Sequence, residues 1–411
     1  MLNRRQFLGF SVPALLYPVL FRNRIPGEEF NVNEIILTEE ALRIHRSALV
    51  IDGHNDLPSR MRDLGFTSFD NFDLLQNQPD IQTDIPRLLK GGVDAQFWVA
   101  CGWFMNKQAN DKSSSSFCLE DIEQIHKMVE RYPQVFQLAY NTDDILEIHR
   151  NGKIASLIGI EGGFAIEKSV SVLDSFYRLG ARYMTLTWGE TNDLADSATD
   201  KPKHGGLSEL GKKVVAQMNR LGMLVDISHV TTDTMRDVLQ ISQPPIIASH
   251  SSAYHLARSD RNIPDDILEG IAKNGGIVMV NFFPGFLTPE GTKIDSGYWD
   301  YLHMLQSDPE KKSTDIMKLL EKWDQDHPVP NCSAEKVVDH IDHIVKTAGL
   351  DYVGLGSDFD GIPLAPEYLS DVSYFPYITQ ILLNRGYKEE AINKILGGNL
   401  IRVFKKVEEM T

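Results

Sequence analysis

The chain has 411 residues, which is enough for one large barrel domain with insertions or for two ordinary domains. Apolar residues make up 42% of the chain and charged residues 24%, a composition typical of a soluble globular protein. The formal net charge of −16 argues against nucleic acid and anionic membrane surfaces as partners. Charge alone does not identify a substrate.

The first thirty residues have the pattern of an export signal. Arg4 and Arg5 precede Phe7-Leu8 and an apolar run that ends at Phe21, which is too short for a comfortable membrane span. The paired arginines indicate a twin-arginine signal, and an ordinary secretory signal is the alternative. We identify no clear signal-peptidase cleavage site, so an uncleaved membrane anchor is a further alternative. We therefore expect residues 1–30 to direct export to the periplasm or the medium, with membrane association only through this segment.

From about residue 46 onward, short apolar runs alternate with helical stretches. Because the runs are continuous rather than alternating in polarity, they predict parallel strands that are covered on both faces. Eight such runs are present: Ala48–Asp52, Ala95–Ala100, Ala155–Ile160, Tyr183–Thr187, Met223–Ile227, Ile246–Ser249, Gly276–Phe282 and Tyr352–Gly356. Amphipathic segments lie between them: Leu119–Arg131, Ser208–Leu221, Asp233–Ile241 and Asp265–Lys273. This alternation predicts an α/β fold, a closed (β/α)8 TIM-like barrel that forms a single domain over residues 31–411.

One connection is longer than the others. Residues 284–333 separate the seventh and eighth predicted strands and carry Trp299, Tyr301 and Trp323. A long, partly helical insertion at this end of a barrel is often a lid or a subunit contact, although a loop without function is an equal alternative. The segment Tyr374–Lys406 then predicts closing helices with a break at Gly397-Gly398.

The chain has three cysteines, an odd number that cannot all pair within one chain. Cys101 and Cys118 could form one disulfide in an oxidising compartment, a point that the sequence leaves open. None of the cysteines belongs to a C-x-x-C pair, so we do not expect a thiolate metal site.

Histidines and acids follow several of the predicted strands. After the first run, His54 and Asp56 are two residues apart and project from the same side of an extended segment, so they can bind one ion together. The third run ends at Glu161, the fifth is followed by His229, and the sixth is followed by His250. A barrel brings the carboxyl ends of its strands to one face, where barrel enzymes have their active sites.

Three histidines and two acids suffice for two metal ions if one carboxylate bridges them, and Glu161 is placed for that role. Nitrogen and oxygen ligands without thiolate favour Zn2+, and Mn2+, Co2+ or Fe2+ also fit. Each motif alone has a structural alternative, but five such residues at the ends of four strands predict a binuclear site. The other histidines lie in polar helical or loop contexts and are expected at the surface, among them His126, His149, His340 and His343.

At this point the sequence resembles the membrane dipeptidase (renal dipeptidase) family of zinc peptidases, whose fold is an amidohydrolase-type barrel. The resemblance extends from Asp52-Gly53-His54-Asn55-Asp56-Leu57-Pro58 to Gly398-Asn399-Leu400-Ile401-Arg402-Val403-Phe404. Between these ends lie Gly159-Ile160-Glu161-Gly162-Gly163, Asp226-Ile227-Ser228-His229, Ser249-His250-Ser251-Ser252-Ala253, Arg261-Asn262-Ile263-Pro264-Asp265, Val280-Asn281-Phe282 and Gly356-Ser357-Asp358-Phe359-Asp360-Gly361.

The resemblance implies His54 and Asp56 on one zinc, His229 and His250 on the other, and a bridging, catalytic Glu161. It also implies that Arg261 holds the substrate carboxylate. Asp358 would meet the substrate's amino group or transfer a proton. Family members hydrolyse dipeptides, often with a C-terminal D-residue, and some open β-lactams. They are typically homodimers, so we expect two Zn2+ per chain and a homodimer here.

Two positions depart from the family pattern. Trp188 occupies the position of the family's histidine that contacts the substrate carbonyl, and Phe286 occupies the position of an expected tyrosine. Losing one such donor costs about 10²–10³ in rate. Glu190, Thr191 and Asn192 are nearby candidates for a replacement donor, and we count Trp188 itself among the substrate-binding residues.

We therefore predict an exported binuclear metallo-dipeptidase that acts on small dipeptides. One alternative is a catalytically altered or silent member of the family, because Trp188 removes the usual donor. Another is a non-peptidase amidohydrolase. Such barrels commonly begin with H-x-H and use a carboxylated lysine as the bridge, whereas this chain has Asp56 in place of the second histidine.

Overall fold

The computed structural model describes residues 34–66, 68–101, 113–308 and 310–411. The part of the chain that it describes has nine β-strands. In chain order they are β1 (Ile51–Asn55), β2 (Ala95–Cys101), β3 (Phe136–Leu138), β4 (Ile154–Glu161), β5 (Ala181–Thr185), β6 (Leu224–Asp226), β7 (Ile247–Ala248), β8 (Ile277–Val280) and β9 (Val353–Leu355).

The same part of the chain has sixteen α-helices. They are α1 (Glu39–Ser47), α2 (Leu57–Asp63), α3 (Ile85–Gly91), α4 (Ser114–Arg131), α5 (Thr142–Arg150), α6 (Val170–Arg178), α7 (Glu209–Leu221), α8 (Thr232–Ile241), α9 (Asp265–Asn274), α10 (Pro284–Leu287), α11 (Pro289–Gln306), α12 (Ser313–Asp326), α13 (Glu335–Thr347), α14 (Phe375–Asn384), α15 (Glu389–Asn393) and α16 (Asn399–Glu409). Short 3₁₀ turns lie at Gly163–Ile166, Leu350–Tyr352 and Val372–Tyr374, and a π-helical turn joins α15 to α16.

Eight of the strands form a closed barrel. Their order around the barrel is β2-β1-β9-β8-β7-β6-β5-β4, and the parallel pairing of β2 with β4 closes the ring. Every pairing in the sheet is parallel, as expected when a helix connects each strand to the next. Each of the eight predicted apolar runs overlaps one of these strands, so the predicted TIM-like barrel is confirmed.

One strand was not predicted. The three residues of β3 pair with the first residues of β4, from Ile154 to Ser156, whereas β5 pairs with β4 further along, from Ile158 to Ile160. A three-residue strand carries too little pattern to be recognised from its own sequence, and its pairing depends on β4.

Both faces of the barrel strands are buried, which explains their continuous apolar runs. Successive residues of a strand point to opposite faces. On β2, Phe97 belongs to the core inside the barrel and Trp98 to the core between the strands and the helices. The inner core also includes Leu400 and Phe404 of α16, so the last helix packs against this core.

Local sequence sets several helix ends. The side chain of Ser208 accepts a hydrogen bond from the backbone of Gly211 at the start of α7, which satisfies one free N–H of the first turn. The same helix ends at Gly222, whose φ of 71° lies in the left-handed region that glycine adopts without strain. The prediction of Ser208–Leu221 as a helix is therefore right to within one residue at its start.

The long connection predicted at residues 284–333 contains α10, α11 and α12. The last two helices share a small core of their own, formed by Leu302, Leu305 and Leu320. Trp299 of α11 packs against Gly189 in the loop after β5, where a Cβ atom would lie only 2.6 Å from the indole. This contact attaches the connection to the rim of the barrel.

The predicted break at Gly397-Gly398 lies in the π-helical turn Lys394–Gly398, between α15 and α16. A Cβ atom on Gly397 would lie 2.2 Å from the carbonyl oxygen of Leu49. Glycine therefore lets this turn pack closely against the residues that lead into β1.

Three further predictions concern single segments. The export signal at residues 1–30 lies outside the described residues, and among those described no helix is long and apolar enough to cross a membrane.

Cys101 and Cys118 are both free thiols, so the disulfide between them is not formed. The thiol of Cys118 instead faces the carbonyl oxygen of Ala100 at 3.8 Å. The prediction that His340 lies at the surface is wrong, since it is fully buried on the inner face of α13.

Arg402 ties α16 to the barrel, and we expect its removal to destabilise the fold. Its guanidinium donates to the carbonyl oxygens of Gly275, Gly276 and Asp351 at 2.7, 3.1 and 2.7 Å. Arg402→Ala should lower the free energy of unfolding by about 1–3 kcal/mol, because three carbonyls lose a charged donor. Urea unfolding followed by circular dichroism measures this, with the exposed Lys405→Ala as control. Equal stability of the two variants would contradict the assignment.

Candidate functional site

The five predicted metal ligands lie together at the carboxyl-terminal end of the barrel. Glu161 is the last residue of β4, and His54 lies within β1, two residues before Asp56. His229 and His250 follow β6 and β7 by three and two residues. All five side chains are buried.

Their donor atoms converge on one carboxylate oxygen. Oε1 of Glu161 lies 2.9 Å from Nε2 of His229 and 3.5 Å from Nε2 of both His54 and His250. The Nε2 atoms of His229 and His250 are 2.8 Å apart, and Nε2 of His54 lies 3.2 Å from Oδ2 of Asp56. The structure therefore brings all five predicted residues into one cluster of ligand atoms.

Two imidazoles are oriented through their remote nitrogens. Nδ1 of His54 lies 2.9 Å from the Tyr183 hydroxyl, which donates its own proton to the carbonyl of Gly53 at 3.1 Å. The hydroxyl must then accept from Nδ1–H, which leaves a lone pair on Nε2. Nδ1 of His250 lies 2.7 Å from Oγ of Ser249. Such contacts behind the ligands set the ring orientation of metal-binding histidines.

Asp358 adds a further carboxylate to the cluster, beside Asp56. It follows β9, and its Oδ1 lies 3.9 Å from Nε2 of His54. The side-chain amide of Asn281 donates to its other oxygen, Oδ2, at 2.8 Å. Gly361 allows this approach, since a Cβ atom there would lie 2.3 Å from Oδ2 of Asp56 and 2.5 Å from Oδ1 of Asp358.

Backbone strain is concentrated at this end of the barrel. His229 and Asp358 have φ values of 73° and 63°, in the left-handed region that residues with side chains rarely adopt. Each such residue costs about 1–3 kcal/mol and persists where the surrounding structure holds it. Both residues belong to the cluster, so the surrounding structure holds these strained conformations at the site itself.

Electrostatics at the cluster favour a bound cation. Burial, reinforced by neighbouring carboxylates, raises the pKa of Glu161 well above its ordinary value. Burial likewise raises the pKa of Asp358 to about 7 and lowers the pKa of His229 and His250 well below the ordinary value. Neutral imidazoles beside buried carboxylates are the donor set that holds a divalent transition metal.

An unpaired ring nitrogen provides a geometric test of that fit. Among the described residues, Nε2 of His54, which faces the cluster, is buried without a hydrogen-bond partner. At the barrel mouth, two groups of three residues have ligand atoms within 4.8 Å of one another, His54 with Glu161 and His250, and His54 with Asp56 and Asp358. The residues therefore fit metal ions at this position.

Arg261 lies buried on the loop between β7 and α9. Its Cζ atom lies 5.2 Å from the centre of the Phe286 ring, and its Nη1 has no hydrogen-bond partner in the described structure. The charges of Asp358 and Glu161 act on this guanidinium. A buried cation with an unused donor is suited to hold an anionic group of a ligand.

Trp188 lies against the metal-ligand cluster. Its ring is 6.2 Å from that of His229 at an interplanar angle of 29°, and the edge-on ring of Trp299 lies 6.0 Å away. The nearby amide of Asn192 is used locally, since it donates to Leu186 and accepts from Leu194. Glu190 is exposed. An indole pair, rather than a polar donor, therefore lines this side of the site.

The sequence did not assign roles to the residues behind the ligands. Tyr183 was part of an apolar run, and Ser249 and Asn281 belonged to motifs without a stated role. Asp226 is fully buried and accepts from the backbone of Ser228 and Ser249 at 2.9 and 3.0 Å, which shapes the segments that carry His229 and His250. A polar residue inside an otherwise apolar run is the one signal that pointed to Asp226, and Tyr183 carried no comparable signal.

Curated relatives of the chain are dipeptidases. Dipeptidase 3 of Mus musculus is 37% identical over 379 residues, which cover 91% of this chain and 67% of that protein. Dipeptidase tcpJ of Claviceps purpurea is 37% identical over 367 residues, which cover 87% of this chain and 77% of that protein.

Solved structures agree on the fold. The probable dipeptidase PvdM from Pseudomonas aeruginosa aligns with a TM-score of 0.79 and 25% identity over 91% of this chain and 98% of its own. A metallo peptidase from Rhodobacter sphaeroides was solved with a phosphinate mimic of the dipeptide L-Ala-D-Ala. It aligns with a TM-score of 0.72 and 23% identity over 88% of this chain and 99% of its own.

The family model described as membrane dipeptidase, peptidase family M19, matches residues 38–411, nearly all of the described structure. The barrel and the cluster at its mouth agree with that match. The chain belongs to the membrane dipeptidase family, whose members are metallopeptidases that hydrolyse the peptide bond of dipeptides.

Proposed function

We propose that the chain is an exported, binuclear zinc dipeptidase that also accepts dipeptides with a C-terminal D-residue. The observation that carries the proposal is the convergence of three imidazole nitrogens within 3.5 Å of one buried oxygen of Glu161. The ligand in the Rhodobacter sphaeroides metallo peptidase, a mimic of L-Ala-D-Ala, supports the choice of substrate.

In this proposal His54 and Asp56 hold one ion, His229 and His250 hold the other, and Glu161 is shared. The pairing is supported by the 3.2 Å contact between His54 and Asp56 and the 2.8 Å contact between His229 and His250. Donors of nitrogen and oxygen without thiolate favour Zn2+, and Mn2+, Co2+ or Fe2+ fit the same set.

When bound, the two ions supply Lewis-acid polarisation of the scissile carbonyl and a water of lowered pKa. The protein's own residues then position the substrate and move protons. Asn281 holds one oxygen of Asp358, so the other oxygen faces the cluster and can carry a proton to the leaving nitrogen. Arg261 binds the C-terminal carboxylate, and this contact restricts substrates to short peptides.

Trp188 and Trp299 form an aromatic wall, and we propose that this wall contacts an apolar side chain of the substrate. The wall lies beside His229, so a substrate held at the cluster contacts it. Because Trp188 stands where the family has a carbonyl-binding histidine, an altered or silent active site is the second candidate function. Turnover of dipeptides by the metal-loaded enzyme separates the two.

Export through residues 1–30, membrane association through that segment alone, and assembly as a homodimer stay predictions. The first two rest on the arginine pair and the apolar run that follows it. The homodimer rests on the family resemblance.

Replacing Glu161 with Gln should remove both metal ions and activity. The neutral amide cannot balance two cations, so we expect the chain to lose the two ions bound at this cluster and kcat/KM to fall by about 10³ or more. Metal analysis and assays with L,L- and L,D-dipeptides measure this on the same sample.

The exposed Glu209→Gln is the matched control, because it removes an acid that pairs with Lys212 at the surface and is not part of the cluster. Circular dichroism should show that both variants fold. Full metal content and activity in the Glu161 variant would exclude the proposed centre. Absence of turnover in the fully loaded unmodified enzyme would instead support the silent alternative.

Arg261→Met should abolish recognition of the substrate's terminal carboxylate. We expect kcat/KM for L-Ala-D-Ala to fall by about 10- to 150-fold, which corresponds to the loss of a charged hydrogen bond. The dipeptide amide, which lacks the carboxylate, should be a poor substrate for both proteins. Arg258→Met is the control, as Arg258 is exposed on the same loop. An unchanged preference for dipeptide over amide would refute this role.

Trp299→Ala should selectively impair substrates with a large apolar side chain. Their kcat/KM should fall by about 10-fold or more, because burial of such a side chain stabilises a complex by about 1.5–3 kcal/mol. Gly-Gly should be hydrolysed within about twofold of the original rate. Met304→Ala, an exposed change on the same helix, controls for effects on α11. Equal losses for both substrates would show that the wall does not contact the side chain.

A further inference from the structure

A further group of side chains that are able to bind a metal ion lies outside the barrel mouth. His255, Asp265 and His343 have ligand atoms that all lie within 4.8 Å of one another. Nε2 of His343 is 2.7 Å from Oδ1 of Asp265, and Nδ1 of His255 is 3.7 Å from Oδ2 of the same carboxylate. The Asp265 carboxylate thus lies within reach of both imidazoles, one from each of its oxygens.

These three residues join three separate elements. His255 lies on the loop between β7 and α9, Asp265 begins α9, and His343 lies on α13. The loop is closed on itself, since Ala253 pairs with Ile263 and the backbone of Tyr254 donates to Ile263 at 3.0 Å. His255 and Asp265 each follow one of these paired residues by two positions, so the closed loop brings them together.

The helix α13 also holds the inner side of the loop between β7 and α9. Nδ1 of the buried His340 accepts a hydrogen bond from the backbone of Ala253 at 2.9 Å. His343 lies one helical turn further along and faces outward, toward Asp265. The loop is therefore held at an inner point by His340 and at an outer point by the His343–Asp265 contact.

We propose that His255, Asp265 and His343 form a third divalent-metal site, for Zn2+ or an ion of similar ligand preference, separate from the site at the barrel mouth. Two imidazoles and one carboxylate are a donor set that Zn2+ takes with three protein ligands, and water completes the coordination. The His255 side chain is 65% exposed, which leaves the site open to ions and water.

One rearrangement is needed for binding. The rings of His255 and His343 stack with centroids 4.7 Å apart at an interplanar angle of 12°, so their lone pairs lie in nearly parallel planes. A shared ion requires the rings to turn toward each other. His255 is the exposed partner and can rotate, while the contact with Asp265 holds His343 in place.

The location gives the ion a structural effect. The loop that carries His255 also carries His250 of the barrel-mouth cluster and the buried Arg261. An ion bound by His255, Asp265 and His343 would clamp this loop to α9 and α13 from outside. It would reduce loop opening and stabilise the fold without contacting the substrate.

Zinc titration of the full-length, chelator-treated protein tests the site. The unmodified chain should bind about one more equivalent of Zn2+ than His255→Ala, His343→Ala or Asp265→Asn. In addition, saturating Zn2+ should raise the thermal midpoint further in the unmodified chain than in these variants. Because the comparison is a difference between variants, it does not depend on how many ions the barrel mouth binds.

Asp266→Asn is the matched control, since Asp266 is the next residue on α9 and pairs with Arg236 instead. His126→Ala controls for loss of a histidine elsewhere. Both should keep the additional equivalent. Identical stoichiometry and affinity in the unmodified chain and in His255→Ala would overturn the proposal, as would an equal loss in the controls.

Discussion

The carboxylate of Glu161 is buried at the end of β4, within 3.5 Å of three imidazole nitrogens. Burying an ionised carboxylate is costly unless positive charge compensates it, and Asp56 and Asp358 add two more acids at the same place. The histidines provide no such charge, because burial keeps them neutral. These groups therefore fit a bound metal cation, which would balance the buried acids, and the surrounding structure holds the donors in position.

The barrel holds the donors by its register. Cys101 of β2 pairs with Glu161, so the closing pair of strands ends at the carboxylate in the centre of the cluster. Behind His54, Tyr183 spans the interior from β5 and directs the remote ring nitrogen. The left-handed backbone at His229 and Asp358 is tolerated because a large, closely packed core supports the strand ends.

The residues that we propose for substrate binding lie on different elements from the proposed ligands. The proposed ligands lie on strands or within three residues after them, whereas Arg261 lies on a loop and Trp299 on a helix of the long connection after β8. Loops and insertions tolerate change better than a barrel's strands, so substrate recognition can diverge while the ligand cluster is kept. The contact between Trp299 and Trp188 shows how this connection reaches the cluster.

The sequence by itself determined the barrel and the residues that cluster at its mouth, because both depend on local order. Continuous apolar runs predict buried parallel strands, and a histidine or acid at a strand end must lie at the barrel mouth once the strands close. Tertiary structure alone decided which residues stand behind the ligands, that His340 is buried, that β3 joins β4, and that Trp299 packs on Gly189. These contacts join segments distant in the chain, and no local periodicity encodes which distant partner a side chain meets.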